Sequence, residues 1–389
     1  MKKLTFVFLF LIFSVVVFAQ HKITLQLKVS NDTSNSKYFF ASNLNGWNPA
    51  DTNFRFQKKS ANEFVLNLPS SNVELIQYKI TKGSWDAVES TVSGEDISNR
   101  VIRKVEIHSD TSIAITVAQW KNSVAKIRTS TASKNVKIIN EKFPLTYLGK
   151  TRRVWIYLPE NYTSSKKKYP VIYMHDGQNL FDVLTAPFGE WGVDECLDTL
   201  SRKLNFDVIV VGIDNGGVDR LSEYSPYDFK VNADEVNVWD VKGTGSLYLE
   251  SLVKEVKPYI DQHYRTKKDV RHTIVCGSSM GGLISLYACM RYPNVFGYAG
   301  VFSPAFWTNV GDLQKEIEAR QFKWSANIYM IAGDLEGKRY TDNMYEISLL
   351  LSKLSNSKIT TTTIPNEQHN EKFWRGKMPE FITWISNSF

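Results

Sequence analysis

Three cysteines in 389 residues, Cys196, Cys276 and Cys289, are too few and of the wrong parity for a disulfide framework, because at least one must stay unpaired. No block of five or six like charges occurs. The densest cluster, Lys166 to Lys168, sits between two strand-like runs and reads as a solvated loop, and two of the seven net positive charges belong to Lys2 and Lys3. Dedicated nucleic-acid binding is therefore excluded as a first reading. The chain has no H-E-x-x-H, no Cys-x-x-Cys pair and no dinucleotide or phosphate-cradling glycine fingerprint, so neither a metal nor an organic cofactor is implied. Internal repeats are absent as well. What remains is a chain with 43% hydrophobic and 22% charged residues, enough for two cores, and an aromatic share of 13% that includes ten tryptophans.

The stretch from Leu4 to Phe18 is almost wholly apolar, follows Lys2-Lys3 and ends in Val17-Phe18-Ala19. It is short for a membrane span, and polar sequence begins at Gln20. This pattern predicts a signal peptide over residues 1–19 with cleavage near Ala19, hence a periplasmic or extracellular protein. No cysteine stands directly after the cleavage point, so no lipid or other membrane anchor is expected after cleavage.

From residue 20 to 120, short alternating segments are separated by turn signals: Ile23 to Val29, Tyr38 to Ala41, Glu63 to Leu68, Leu75 to Thr81, Val101 to Ile107 and Ser112 to Val117. Helical periodicity is lacking, which predicts a β-sandwich. The stretch 121–135 is rich in Lys, Ser and Thr and reads as a linker. Over 136–389, apolar strands alternate with amphipathic helices, the signature of an α/β domain with a mostly parallel sheet. Strands are expected at Val154 to Leu158, Val171 to His175, Val208 to Ile213, Thr273 to Cys276, Tyr298 to Phe302, Ile328 to Ala332 and Ile359 to Ile364. Helices are expected from Leu249 to Ile260, with a kink or boundary at Pro258, and near Leu283 to Arg291, Tyr345 to Leu354 and Pro379 to Ile385.

The sharpest local feature is Gly277-Ser278-Ser279-Met280-Gly281, between the strand ending at Cys276 and the helical run from Leu283. A serine on a tight strand-to-helix turn projects its hydroxyl over the carboxyl edge of the sheet, towards the positive end of the following helix. Such a hydroxyl needs a base, usually a histidine held by a carboxylate. In the chain order that goes with this turn the histidine follows the serine, and of six histidines only His369 does. The acid leaves the strand between them, where both Asp334 and Glu336 qualify. For the oxyanion, one donor is expected to be the Met280 N–H, and the other the Gln178 N–H, with Asn179 next, in the loop after Val171 to Met174. Trp191, Tyr224 and Trp307 follow strand ends or neighbouring loops and are candidates for the substrate pocket.

From about Phe143 to Phe389 the chain resembles the esterase family of α/β-hydrolases that groups enterochelin-type siderophore esterases, feruloyl and acetyl-xylan esterases and esterase D relatives. The resemblance is carried by Val171 to Phe181 (VIYMHDGQNLF), Arg220 to Pro226 (RLSEYSP), Gly277 to Gly282 and Glu367 to Trp374 (EQHNEKFW). It implies an α/β-hydrolase fold, a carboxylic ester substrate and no cofactor. In these relatives the acid lies three residues beyond the glycine ending its strand, which favours Glu336 over Asp334. The first domain resembles a glycogen-binding-type carbohydrate-binding module of immunoglobulin-like fold, through Asn43 to Pro49 (NLNGWNP), Gln77 to Lys79 and Gly83 to Trp85. That resemblance nominates Trp47, Trp85, Lys79 and Asn99 as sugar contacts. Together the two imply an exported serine esterase acting on acyl or feruloyl groups carried by carbohydrate; the alternatives are a siderophore esterase and a glycan-binding protein with an inert hydrolase domain.

Overall fold

Period-two burial builds the first part of the chain. In the computed structural model, which describes residues 21–29, 36–92, 94–121, 129–232 and 238–389, strand β1 (Ile23–Val29) turns Ile23, Leu25, Leu27 and Val29 inward and the residues between them outward. The other strands of this unit are β2 (Phe39–Ser42), β3 (Gln57–Lys58), β4 (Glu63–Asn67), β5 (Leu75–Thr81), β6 (Glu89–Ser90), β7 (Arg100–Arg103), β8 (Thr111–Val117) and β9 (Gln119–Trp120). They form a four-stranded sheet β3-β4-β1-β8, a three-stranded sheet β2-β5-β7 and a short pair β6-β9. Strands β1 and β8 run parallel, whereas β4 lies antiparallel on the other side of β1. The inner faces of both larger sheets share one core that includes Leu25, Tyr38, Phe40, Phe64, Ile80 and Ile115. The stretch expected as a signal peptide lies outside the described residues.

The chain divides into two compact units, residues 1–126 and 127–389. In the second unit, β10 (Val136–Leu145), β11 (Lys150–Tyr157), β12 (Val171–His175), β13 (Ile209–Ile213), β16 (Thr273–Ser278), β17 (Tyr298–Phe302), β18 (Asn327–Gly333) and β19 (Lys358–Ile364) make one sheet, in the order β10-β11-β13-β12-β16-β17-β18-β19. The segments β14 (Phe229–Asn232) and β15 (Val238–Val241) form a separate antiparallel ribbon. From β13 to β19 every pairing is parallel, and β12, β13, β16 and β17 are buried along their whole length. Strands covered on both faces need the continuous apolar runs that the sequence supplies here.

The helices are α1 (Val193–Leu204), α2 (Arg220–Glu223), α3 (Gly245–Ser251), α4 (Lys257–His263), α5 (Met280–Arg291), α6 (Val310–Ala319), α7 (Lys338–Leu354) and α8 (Glu371–Ser386). Alternate strand residues feed two cores, one per face. Val171, Val211, Val275 and Met330 pack with residues of α3 to α7, while Ile172, Val210, Ile274 and Tyr329 pack with α1 and α8. Pro258 stands in the first turn of α4, directly after a widened π turn over Leu252–Val256 that separates it from α3. Its missing N–H and its ring disrupt the regular helical bond there, as expected of an internal proline.

Several features differ from the sequence-based expectation, among them short strands β3, β6 and β9, the β14–β15 ribbon, and β7, which ends at Arg103 where the strand was expected to run to Ile107. Strand β10 was not expected, and it is an edge strand whose pattern is mostly exposed, so its polar residues hide the usual apolar signal. Helices α1 and α6 were not expected either. Residues 129–135, inside the stretch expected as a linker, belong to the second unit. There the Ser130 hydroxyl donates to Asp182 Oδ2 at 2.6 Å and the Asn135 amide to Asp198 Oδ1 at 2.8 Å. A composition of hydroxyls and amides that reads as flexible is here the complement of a row of carboxylates.

The chain order β12, β13, β16 places β13 on one side of β12 and β16 on the other. That reversal is a topological switch point, and the carboxyl ends of the strands flanking it form a natural crevice for a ligand.

Candidate active site

Both loops at the switch point are locally strained. Ser279 follows β16 and caps α5 with φ 57° and ψ −118°, and Asp176 follows β12 in the left-handed region with φ 58°. Neither residue is glycine, so each conformation costs on the order of 1–3 kcal/mol and has to be held by its surroundings. For Ser279 the support is visible: its N–H donates to Phe302 O at 2.9 Å, and its carbonyl accepts from the Ala305 N–H at 3.0 Å. Gly277 is required here, because a Cβ would lie 2.9 Å from the Gly281 backbone and from the His175 ring. Met280 opens α5, so its N–H has no acceptor within the helix. Gln178 sits in the short 3₁₀ turn Gly177–Asn179. Its side-chain Oε1 accepts from the Asn215 N–H at 3.1 Å and its carbonyl from the Thr185 hydroxyl at 2.7 Å, so the residue is held through its side chain and through the peptide that follows its N–H.

On the far side of the crevice, the His369 Nδ1 proton is donated to Glu336 Oε2 at 2.8 Å. The other oxygen, Oε1, accepts from the Gly333 N–H at 2.7 Å and the Ser303 hydroxyl at 2.6 Å, and the Trp374 indole N–H donates to Ser303 Oγ at 2.8 Å. Glu336 is buried and has partners on both oxygens, which fixes the imidazole it carries. Asp334, the alternative acid, is exposed and accepts from the Asn366 N–H at 2.7 Å; it caps a turn and His369 bonds to Glu336. Ser279, His369 and Gln178 line one cavity of about 450 Å³.

Three aromatic expectations need correction. Trp191 and Tyr224 are 2% and 0% exposed, and neither they nor Trp307 line the cavity. Trp191 packs edge-on against Phe302 and beside Trp374. Tyr224 Oη accepts from the Asp176 N–H at 3.2 Å beneath the loop. Trp307 lies under the Arg339 guanidinium and edge-on to Tyr340, whose ring is 4.7 Å from that of His369. An aromatic near a strand end faces the core at least as readily as the crevice.

Sequence reasoning gave no role to several residues that the cavity does contain: Arg220, Asn215, Glu371, Phe188 and Trp374. Arg220 is the most informative. Its Nε and Nη2 donate to the two oxygens of Asp176 at 2.7 and 2.8 Å, and Nη2 also reaches Ser278 O at 3.3 Å. One guanidinium thus ties the residue before the Gln178 turn to the residue before Ser279. Burial alone would raise the Asp176 carboxyl, but the Arg220 charge and bonds from Arg220 and Asn215 outweigh it and hold it below its ordinary value. His175 is buried and exchanges a hydrogen bond with Tyr248 Oη at 2.8 Å; burial lowers it to about 4, so it stays neutral and shapes the loop. Glu371 behaves oppositely. Burial, reinforced by the Asp176 charge, pushes its carboxyl up to about 7.

In the first unit, Trp47 has φ 62° in the turn after β2, and its ring lies 6.3 Å from that of Trp85, tilted by 40°. Trp85 is 42% exposed. Lys79 is on β5, where burial lowers its amine, and the Asn99 amide donates to Gln77 Oε1 at 3.3 Å.

Comparison with known proteins decides the family. The family model described as Putative esterase matches residues 146–380, more than half of the chain. The chain belongs to this esterase family. Among curated relatives, the esterase is 27% identical over 192 residues to the uncharacterized protein YbbA of Bacillus subtilis, covering 48% of this chain and 70% of YbbA. It is 27% identical over 161 residues to an endo-1,4-beta-xylanase/feruloyl esterase of Xylanibacter ruminicola, 40% of this chain and 20% of that protein. A 103-residue stretch is 31% identical to an alpha-amylase of Niallia circulans, 26% of this chain and 8% of the amylase. Among solved structures, the enterobactin esterase of Shigella flexneri superposes with a TM-score of 0.57 at 14% identity, over 91% of this chain and 89% of that one. The fold of the second unit is that of an α/β-hydrolase, and the esterase is a serine hydrolase acting on ester bonds.

Proposed function

We propose that this esterase is exported and removes acyl or feruloyl groups from carbohydrate through a Ser279–His369–Glu336 triad. The observation that carries the reading is the 2.8 Å bond from His369 Nδ1 to a Glu336 carboxylate with partners on both oxygens, beside the cavity that Ser279 also lines. With Nδ1 committed to Glu336, Nε2 is the free base. It takes the Ser279 hydroxyl proton as Oγ attacks the ester carbonyl, and the oxyanion is received by the Met280 and Gln178 N–H groups. His369 then returns the proton to the departing alcohol, leaving an acyl-enzyme. Water, deprotonated by the same imidazole, releases the acid and regenerates Ser279.

Two observations favour a substrate with an aromatic or sugar surface. Phe188 lines the cavity yet is 75% exposed, an open apolar face at the site. In the first unit, the tilted indole pair Trp47 and Trp85 offers the kind of platform on which pyranose rings stack, and the reading of that unit as an immunoglobulin-like sugar-binding module rests on this pair with Lys79 and Asn99 beside it in the sequence pattern. The relatives named endo-1,4-beta-xylanase/feruloyl esterase and alpha-amylase point the same way.

The test is turnover of p-nitrophenyl acetate, then of acetyl-xylan, feruloyl-sugar and catecholate-lactone substrates. Ser279→Ala and His369→Ala are expected to abolish turnover, and wild-type-like activity in either sinks the triad. Highest kcat/KM on the catecholate lactone replaces the carbohydrate reading with the siderophore one. Affinity electrophoresis on soluble polysaccharides is expected to lose its retardation in Trp47→Ala and Trp85→Ala. Export predicts a mature protein beginning at Gln20, read by terminal sequencing.

A further inference from the structure

Three carboxylates in the second unit, Glu190, Asp194 and Glu195, take no part in the triad. Glu190 precedes the first turn of α1, and Asp194 and Glu195 are within it. One carboxylate oxygen of each lies within 4.8 Å of one from each of the other two. Glu190 and Asp194 are more than nine-tenths buried. The protein satisfies only part of this group. The Thr131 hydroxyl donates to Glu190 Oε2 at 3.0 Å, and the Ser133 N–H to Asp194 Oδ2 at 2.7 Å. Glu190 Oε1, Asp194 Oδ1 and Glu195 Oε2 are buried, and no donor among the described residues reaches them.

Charge is as short as hydrogen bonds. The facing cation is Arg375, whose guanidinium approaches Glu190 Oε2 at 3.6 Å and Glu195 Oε1 at 3.8 Å, both beyond hydrogen-bond reach, with a half-exposed side chain. It passes over Gly192, where a Cβ would lie 2.8 Å from Cζ. Three carboxylates share one guanidinium around oxygens that already lack donors. Buried anions without pairing or donors are strongly disfavoured. An oxygen-seeking cation fits the deficit.

We propose that Glu190, Asp194 and Glu195 form a binding site for a hard divalent cation of the calcium class. All three donors are carboxylate oxygens, which such cations prefer, and no histidine or thiol is among them. Coordination habit separates the candidates. Calcium takes several carboxylate oxygens at once, whereas magnesium keeps most of its waters and binds through one or two carboxylates. A group of three carboxylates suits calcium. The bound ion ties the Thr131–Ser133 segment to the start of α1. It also braces the chain just beyond Gln178, since the Trp191 N–H donates to Asn179 O at 2.8 Å and the Val193 N–H to Leu180 O at 3.1 Å. The inference does not depend on the triad assignment.

The test uses the full-length protein stripped with EDTA. Calcium is expected to raise the thermal midpoint with half-saturation at or below about 1 mM. Terbium is expected to give tryptophan-sensitised emission, because Trp191 adjoins Glu190, and calcium should displace it. Asp194→Asn should abolish both responses. Should that variant fail to fold, Glu195→Gln, at a partly exposed position, is expected to weaken calcium about tenfold or more. No calcium- or magnesium-dependent response in the wild type overturns the proposal. So does an undiminished response in either folded variant, which would put the ion elsewhere.

Discussion

Glu336 and Asp194 are both buried acids at the ends of helical segments in the same unit, yet their oxygens are treated in opposite ways. Glu336 accepts from Gly333, Ser303 and His369, so both oxygens are assigned. Asp194 keeps one oxygen without a partner beside two other carboxylates. Burial alone therefore does not say what a carboxylate does; the assignment of its lone pairs does. An acid with every oxygen bonded holds a neighbour in place, as Glu336 holds His369 and Asp176 holds Arg220. In Asp194 the unassigned oxygen is the one the proposed cation would take.

The comparison is broken most sharply at Glu336. Glu336→Gln should leave the fold intact and lower kcat/KM by about 10³- to 10⁴-fold, because the imidazole loses its anionic anchor. Asp334→Asn should stay within about threefold in steady-state assays on the same ester. Equal losses in the two would remove the distinction between a bonded and a merely exposed carboxylate.

Next in size is the other fully bonded acid. Arg220→Met strands Asp176 as a buried, unpaired charge and is expected to destabilise the protein by about 3–5 kcal/mol in urea unfolding. It should also depress kcat, because the Gln178 turn and the Ser279 turn lose their common tie. Adding Asp176→Asn should recover part of the stability; no recovery would mean that the cost lies in packing rather than charge.

Glu371 sharpens the comparison through pH. In the folded protein its carboxyl is pushed up to about 7 from an ordinary 4.5, so between those values the folded state holds a proton that the unfolded chain has released. Stability contributed by this group is therefore present at low pH and is lost as pH rises towards 7 and beyond. The urea midpoint of the wild type should fall more steeply from pH 5 to pH 8 than that of Glu371→Gln. Parallel slopes would show that Glu371 titrates normally. The smallest effect is at the exposed aromatic: Phe188→Ala should raise KM for feruloyl esters up to about tenfold with kcat nearly unchanged, the scale of one ring contact.

Much of the second unit was legible in the sequence because its signals are local. The Ser279 turn, with a glycine on each side and a helix after it, reads directly from neighbours in the chain, and His369 stands out as the single histidine beyond it. The parallel strands announce themselves as unbroken apolar runs. What escaped depends on distant partners. Asp176 and Arg220 are 44 residues apart, and nothing near either names the other. Trp191 and Tyr224 follow strand ends, where chain position does not reveal which way a ring turns. Strand β10 is a polar edge, and the Glu190, Asp194 and Glu195 group looks like an ordinary acidic helix start until the Ser130 to Ser133 segment is seen to bury it.

The identity of the nucleophile is tested most directly by labelling the protein with a fluorophosphonate and mapping the modified peptide. Ser279 as the modified residue, with labelling lost in His369→Ala, is the expected result. Modification of any other residue, or full labelling of Ser279→Ala, would contradict the account.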